Sequence, residues 1–315
     1  MSESTEFLSK SQLRRVTISP LRYPGGKGSL YSALKLFVRA NALTQGTYVE
    51  PYAGGAGAAL ALLVTGQVRR IVINDLDPSV YAFWAAIVAE PKRFCERIGK
   101  ADLTVREWSR QKEIYSSGSA DPFELGYATF YLNRTNRSGV LNGGPIGGMD
   151  QRGNYKIDAR FNKEALAERV RVIGLHARNI SVTNTDGLAV IRKYARRSST
   201  FIYADPPYFD KAGSLYLNSF VSADHAKLAG CLNGYAGANW LLTYDNVPQV
   251  HDLYAGRRSL LFSLNYSAHR VLKAQEVMVL SDGLTMPPNA DEFRASCRMD
   301  GVTQDRSLAG VPLPS

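Results

Sequence analysis

Residues 48–75 constrain the fold more than any other part of the chain. Tyr48-Val49-Glu50 has the composition of a short buried strand, and Pro51 stops it. A turn rich in small residues follows, Pro51-Tyr52-Ala53-Gly54-Gly55-Ala56-Gly57, and then an alanine- and leucine-rich helix from Ala58 to Leu63. Strand, glycine turn and helix in this order let bare backbone and helix N–H groups approach a polar ligand closely, the opening move of a Rossmann-like unit. A second strand, Arg70 to Ile73, ends at Asn74-Asp75. Asp75 lies about 20 residues beyond the turn, where such folds set a carboxylate on ribose hydroxyls. The third glycine of the dinucleotide pattern is missing, so turn, strand and acid carry the signal together. The expected fold class is α/β, built on a Rossmann-like sheet.

A second stretch has its own chemistry. Phe201-Ile202-Tyr203-Ala204 reads as a buried strand, and Asp205-Pro206-Pro207-Tyr208-Phe209 cannot continue it, because two prolines remove two backbone donors. The result is a stiff corner where a strand ends, the place where open α/β sheets bind ligands. The exocyclic amine of a nucleobase is a poor nucleophile because its lone pair is delocalised into the ring. Two acceptors on its hydrogens would localise that pair. Asp205 and the Pro206 carbonyl can supply them, and Pro206 and Pro207 fix the geometry. Tyr208 is expected to stack on the base. A strand-ending turn with a surface aspartate is the plain alternative.

Between and around these stretches the alternation of strand and helix is uneven. Asp77-Pro78 opens a helix through Val80, Phe83, Trp84 and Ile87 that Pro91 interrupts. From Lys92 to Leu175 no parallel strand is evident. A helix is expected over Phe123 to Leu132, followed by a glycine-rich loop or hairpin from Asn133 to Gly148 that continues to Arg152 and Tyr155-Lys156-Ile157. Its amide and guanidinium groups, Arg134, Asn136, Arg137, Asn142 and Arg152 among them, suit phosphates and base edges. The rhythm resumes with a helix from Lys163 to His176 and a strand at Ile180-Ser181-Val182 that ends near Asp186. Asp186 reads equally as a contact to a nucleoside's adenine or as a helix N-cap. A helix over Ser222 to Leu232 and a strand over Trp240 to Tyr244 come next. Leu260 to Leu264 and Glu276 to Leu280 are expected to pair as an antiparallel edge. Met1 to Ser19 reads as a loose lead-in, and the chain beyond Asp282 as a mobile tail. Leu21 to Gly28 contains Tyr23-Pro24-Gly25-Gly26-Lys27, a loop with a lysine suited to an anionic group.

Composition narrows the partner. At 315 residues with a formal charge of +10, the chain favours an anionic partner, most simply nucleic acid. Cys95, Cys231 and Cys297 are far apart and odd in number, which fits a reducing compartment and offers neither a disulfide framework nor metal-ligand spacing. The N-terminus has no signal-peptide core, and no run is apolar enough to span a bilayer.

The order of Tyr-Pro-Gly-Gly-Lys, Glu-Pro-Tyr-Ala-Gly-Gly-Ala-Gly, Asn-Asp, a helical and loop-rich insert, and Asp-Pro-Pro-Tyr resembles the Dam-type family of DNA adenine-N6 methyltransferases. The resemblance covers about Leu21 to Leu280. It implies S-adenosyl-L-methionine (AdoMet) as methyl donor and no metal. Tyr23 and Lys27 would border the cofactor, Gly54, Gly55 and Gly57 would lie along its methionine part, Asp75 would hold its ribose, and Asp186 would face its adenine. Asp205, Pro206, Pro207 and Tyr208 would grip the target base beside the methyl group, with Asp205 also bordering the cofactor. The implied layout is a lead-in over 1–20 and a discontinuous catalytic domain over 21–90 and 171–282. An inserted, mainly helical target-recognition domain with a hairpin loop would occupy 91–170, and a tail 283–315. The implied activity is site-specific methylation of adenine N6 in double-stranded DNA by base flipping, in the cytoplasm of a prokaryote or from a phage, with a cognate restriction endonuclease as a candidate partner. The loop Gly143 to Gly148 differs from that of the members that read GATC, so that site is not implied. The rival readings are an RNA adenine methyltransferase, a cytosine-N4 enzyme, a non-catalytic nucleic-acid-binding regulator and a nicotinamide-dependent dehydrogenase.

Overall fold

The computed structural model describes residues 18–22, 27–119, 121–209, 220–268 and 270–297. Five strands run parallel: β1 (Thr47–Glu50), β2 (Arg70–Asn74), β3 (Ile180–Thr183), β4 (Thr200–Ala204) and β5 (Trp240–Asp245). β6 (Arg258–Ala268) and β7 (Arg270–Leu280) form an antiparallel hairpin. The sheet order is β3-β2-β1-β4-β5-β7-β6, so β7 slots between β5 and β6 and pairs antiparallel with β5 from Leu241↔Leu280 to Asp245↔Glu276. The late edge pair expected over 260–264 and 276–280 is present and longer, at 11 residues per strand.

Period-two alternation divides the strand side chains between two apolar layers. Tyr48, Ile71, Ile73, Phe201, Tyr203 and Leu241 join one core. Val49, Val72, Ile202, Ala204, Trp240 and Leu242 join the other, covered by helices Gly187–Tyr194 and Ser222–Asn233. β4 is buried along its whole length, as its unbroken apolar sequence requires of a central parallel strand.

The expected elements up to residue 90 are present with small changes of boundary. Helix Gly57–Val64 follows the glycine turn, and Asp77 caps helix Pro78–Ala89 by accepting from the Ser79 amide at 2.8 Å. Pro91 begins a new helix, Pro91–Gly99, at the position where proline's missing N–H costs nothing. Two further helices, Val105–Ser117 and Pro122–Thr135, complete this part of the insert, and Lys163–Leu175 closes it. Their packing is continuous with the sheet layer. Phe83 stacks on Phe130 at 6.0 Å, Phe130 meets Phe94 and Phe161 at 5.4 Å each, and all four belong to the core that contains Tyr48 and Phe201. Gly126 permits that contact, since a Cβ there would lie 2.5 Å from the Ala82 carbonyl oxygen.

Two expectations about the chain ends need correction. Ile18 and Leu21 are buried core residues, so the lead-in is anchored from Ile18 onward; residues 1–17 lie outside the described part. The tail is packed as far as Cys297. Helix Ala290–Ser296 sets Phe293 edge-on against Phe37 at 5.4 Å, and the Asn41 side chain bridges to both the Thr285 carbonyl and its amide. Residues 298–315 lie outside the description. Of the two readings of Asn133–Gly148, loop or hairpin, the hairpin is the one formed: Asn136 and Pro145 make an antiparallel bridge. Arg137 N–H bonds Gly144 O at 3.1 Å, Ile146 N–H bonds Thr135 O at 2.8 Å, and Gln151 ties back to the carbonyls of Ile146 and Gly148.

Candidate active site

The strand order reverses between β1 and β4, which pair in parallel as neighbours. In open α/β sheets the ligand crevice lies outside the carboxyl ends of the strands at such a point. Here those ends are Glu50, leading into the glycine turn, and Ala204, leading into Asp205.

On the β1 side the turn is shaped from its backbone. Gly54 and Ala56 hold positive φ, at 47° and 44°. Asp75, one residue past the end of β2, accepts the Gly54 amide at 2.9 Å and the Asp77 amide at 3.0 Å, while the Trp84 indole donates to Gly54 O at 2.9 Å. Burial pushes the Asp75 carboxyl up to about 6 against those two amides. Glu50 is buried, takes the Tyr48 hydroxyl at 3.1 Å and the Ala59 amide at 3.2 Å, and burial raises it to about 8, so it is mostly a neutral acid at pH 7. Gly55 is buried within the turn. Gly57 lies against the turn Lys27–Leu30, its virtual Cβ 3.5 Å from Gly28. Tyr23 lies outside the described residues, as does the Lys27 side chain.

Asp186 is exposed and caps helix Gly187–Tyr194 through the Leu188 amide at 3.0 Å, so the N-cap reading holds. Its charge also bears on Tyr52. The Tyr52 ring leaves no room for a Cβ at Gly187, and its hydroxyl is buried with no hydrogen-bond partner among the described residues. A glycine turn, a half-buried acid at the next strand end and an orphaned hydroxyl fit a nucleoside-bearing cofactor.

On the β4 side the carboxylate is held by side chains. Asp205 Oδ1 accepts the Thr243 hydroxyl at 2.8 Å and the Tyr208 hydroxyl at 3.1 Å. Thr243, fully buried on β5, also shares a 2.8 Å hydrogen bond with the Tyr203 hydroxyl. Glu276 of β7 is buried and hydrogen-bonds the Tyr208 phenol, which burial and Asp205 hold in its protonated, donating form. Pro206 is buried beside them. The Tyr208 ring is itself buried, tilted against Tyr244 at 6.0 Å, so its hydroxyl braces Asp205. Phe209 stacks on His225 at 3.6 Å, and the His225 ring bonds the Tyr244 hydroxyl at 2.6 Å.

The insert residues divide into two groups. Arg137, Asn142 and Arg152 are exposed; Asn142 receives Lys112 Nζ at 3.4 Å, and Arg152 pairs with Asp150 at 3.5 Å. Arg134 and Asn136 do not project from a loop as the sequence suggests. Arg134 is buried, its Nε donating to Pro20 O at 2.6 Å, and burial together with Arg169 and Arg22 lowers its guanidinium to about 9. Asn136 is fully buried, accepting the Trp108 indole at 2.7 Å and donating to the carbonyls of Val140 and Leu141. These two hold the loop in shape.

Thr243, Tyr203, Glu50 and Glu276 were missed by the sequence reading. Tyr203 and Thr243 had a signal, each a phenolic or polar residue among apolar strand neighbours; Glu50 at the end of β1 and Glu276 in a strand with Lys273 and Gln275 had less.

A doubly wound sheet with a glycine turn and an acid-lined corner at its switch point defines a Rossmann-like methyltransferase fold. The chain belongs to the D12 class of N6 adenine-specific DNA methyltransferases, whose family model matches residues 23–271, and it is accordingly an adenine-specific DNA methyltransferase. It is 21% identical over 203 residues to the Type II methyltransferase M.MjaIII of Methanocaldococcus jannaschii, covering 60% of this chain and 68% of that one. Among solved structures, the rRNA methyltransferase aviRa from Streptomyces viridochromogenes aligns over 79% of this chain and 83% of its own at 16% identity and a TM-score of 0.35, too loose a likeness to argue from. No helix among the described residues is long and apolar enough to cross a membrane.

Proposed function

We propose that the protein transfers the methyl group of AdoMet to N6 of an adenine flipped out of double-stranded DNA into the Asp205–Tyr208 corner. The observation that carries this is the placement of Asp205 at the end of β4, beside the strand whose end forms the glycine turn, with one carboxylate oxygen fixed by two hydroxyls.

AdoMet, when bound, supplies an electrophilic methyl on a sulfonium. The chain's own residues do the rest. Asp75, with Gly54, Gly55 and Gly57, would hold its nucleoside and methionine parts, and Asp186 and the orphaned Tyr52 hydroxyl would border it. Asp205 and the Pro206 carbonyl would accept the two N6 hydrogens, drawing the nitrogen's lone pair out of conjugation. Fixed acceptors need no reorganisation during transfer, which is the larger part of their effect. An adenine inside a duplex cannot reach such a corner, so the base must leave the stack at a cost of a few kcal/mol. Exposed Arg137, Asn142 and Arg152 would contact the duplex, aided by the +10 charge.

The test is incorporation of labelled methyl from AdoMet into double-stranded DNA, single-stranded DNA and RNA, with the product base identified by mass spectrometry. N6-methyladenine in duplex DNA is expected. Label in RNA alone, or N4-methylcytosine, would overturn the proposal. Asp205→Ala should lose incorporation yet keep the thermal shift that AdoMet gives; NAD should give none.

A further inference from the structure

The geometry points to Asn133 as a positioning residue that couples target reading to cofactor binding, an inference that rests on the reading just given. Asn133 lies in the last turn of helix Pro122–Thr135 and is buried. Its side chain makes three hydrogen bonds across two segments. Oδ1 accepts the Arg22 amide at 2.7 Å, and Nδ2 donates to the Arg22 carbonyl at 2.8 Å and to the Gly139 carbonyl at 3.0 Å. One amide thus grips both backbone groups of Arg22 and the carbonyl of a residue inside the Arg137–Asn142 loop.

The grip is reinforced from both sides. Gly139 has φ of +75°, and a Cβ there would lie 2.6 Å from Arg22 O, so the loop and Arg22 are in backbone contact. Arg22 Nη1 donates to Asn136 O at 3.2 Å. Upstream, Arg169 bonds Ser19 O at 3.0 Å and Arg134 bonds Pro20 O at 2.6 Å. Three guanidinium groups and one amide therefore fix residues 19–22. Downstream, Lys27–Leu30 abuts the glycine turn through Gly28 and Gly57. The exposed Arg137 and Asn142 sit on the same loop as Gly139. DNA bound at Arg137 and Asn142 therefore bears on the Asn133–Arg22 contact, and Arg22 lies five positions before Lys27–Leu30 at the cofactor turn. The reverse follows by reciprocity.

The experiment measures binding of S-adenosylhomocysteine, the demethylated cofactor, by titration calorimetry with and without sheared, unmethylated duplex DNA. DNA should tighten binding to the wild type roughly 5- to 20-fold, within the usual span of coupling between sites. Asn133→Ala and Gly139→Ala cut the link from opposite ends. In both, the tightening should fall below about 2-fold, with the AdoMet KM at saturating DNA raised more than kcat is lowered. Asn41→Ala removes an asparagine with a similar three-bond pattern, to Phe37 O and to both backbone groups of Thr285, and should lower stability while leaving the coupling intact. A folded Asn133→Ala protein with wild-type coupling overturns the inference. So does a wild type that methylates DNA without coupling, whereas a wild type that methylates no DNA refutes the proposed function instead. Hydrogen exchange on the unaltered protein needs no variant: DNA alone should slow the amides of Lys27–Leu30, and unchanged exchange there would also overturn it.

Discussion

Two kinds of carboxylate stand at the carboxyl ends of this sheet. Asp75, on the glycine-turn side, is held by the backbone amides of Gly54 and Asp77, and Glu50 beside it by the Ala59 amide together with the Tyr48 hydroxyl. Asp205, on the other side, is held by the hydroxyls of Thr243 and Tyr208. A backbone amide is set by the fold and cannot be removed by substitution. A hydroxyl can be removed or moved by one mutation. The first arrangement builds a rigid cradle; the second leaves a carboxylate, the one we propose to act on the target base, whose aim depends on its neighbours' side chains.

The sharpest break in this comparison is at Asp205 itself. Asp205→Asn keeps the shape but replaces an acceptor oxygen with a donor, and methyl incorporation should fall by about 10³-fold with cofactor binding retained. Removing the brace comes next. Thr243→Val should cost about 10²-fold in kcat by releasing the Asp205 carboxylate, and Thr243→Ser should recover most of it. If both variants behave alike, the hydroxyl has no part in aiming Asp205. Asp75→Asn should weaken cofactor binding about 10-fold, measured by calorimetry, since hydrogen bonds to a charged group are worth a little over 1 kcal/mol. With the free-enzyme carboxyl near 6, wild-type affinity should also fall as pH drops through 6, while the variant's should stay flat.

The smallest effect concerns Glu50. Its folded value of about 8 lies above that of an unfolded glutamate, so the native state keeps a proton the unfolded chain has released. Its contribution to stability is fully present below the unfolded value near 4.3 and is lost as pH rises through 8. The melting temperature should therefore decline from pH 5 to pH 8.5, with Asp75 adding the same sign between about 4 and 6. Glu50→Gln should flatten most of that decline, a change of about 2–4 °C for each kcal/mol removed.

The same contrast explains how much could be read from the sequence. Backbone-held acids show up locally, because turn, strand and acid are near in the chain; Asp75 and the Gly54 turn are 21 positions apart in one strand–helix–strand unit. The parallel sheet, the Asp77-Pro78 helix start and the Asp-Pro-Pro-Tyr corner were legible for that reason. Thr243 is 38 positions from Asp205, on a strand whose register is set by pairing with β7, so its partner was invisible before folding. Arg134 and Asn136 misled in the opposite way. Glycines after them suggested a loop or hairpin beginning at Asn133, but Arg134 lies in the last turn of helix Pro122–Thr135 and Asn136 caps it, and contact with Pro20 and Trp108 took their polar groups inward. The packed tail had its signs in Leu284, Phe293 and Cys297, apolar residues set within a polar run.

The hairpin topology has a consequence for synthesis. β7 must lie between β5 and β6, and it carries Glu276 to the Tyr208 phenol. A growing chain on a ribosome can pair its five parallel strands early, yet it leaves β5 with an open edge and the reactive corner unfinished until Leu280 has cleared the exit tunnel. A chain terminated before β7 would keep Glu50 and Asp75 at their strand ends but lack Glu276 beside Tyr208, and it is expected to transfer no methyl group.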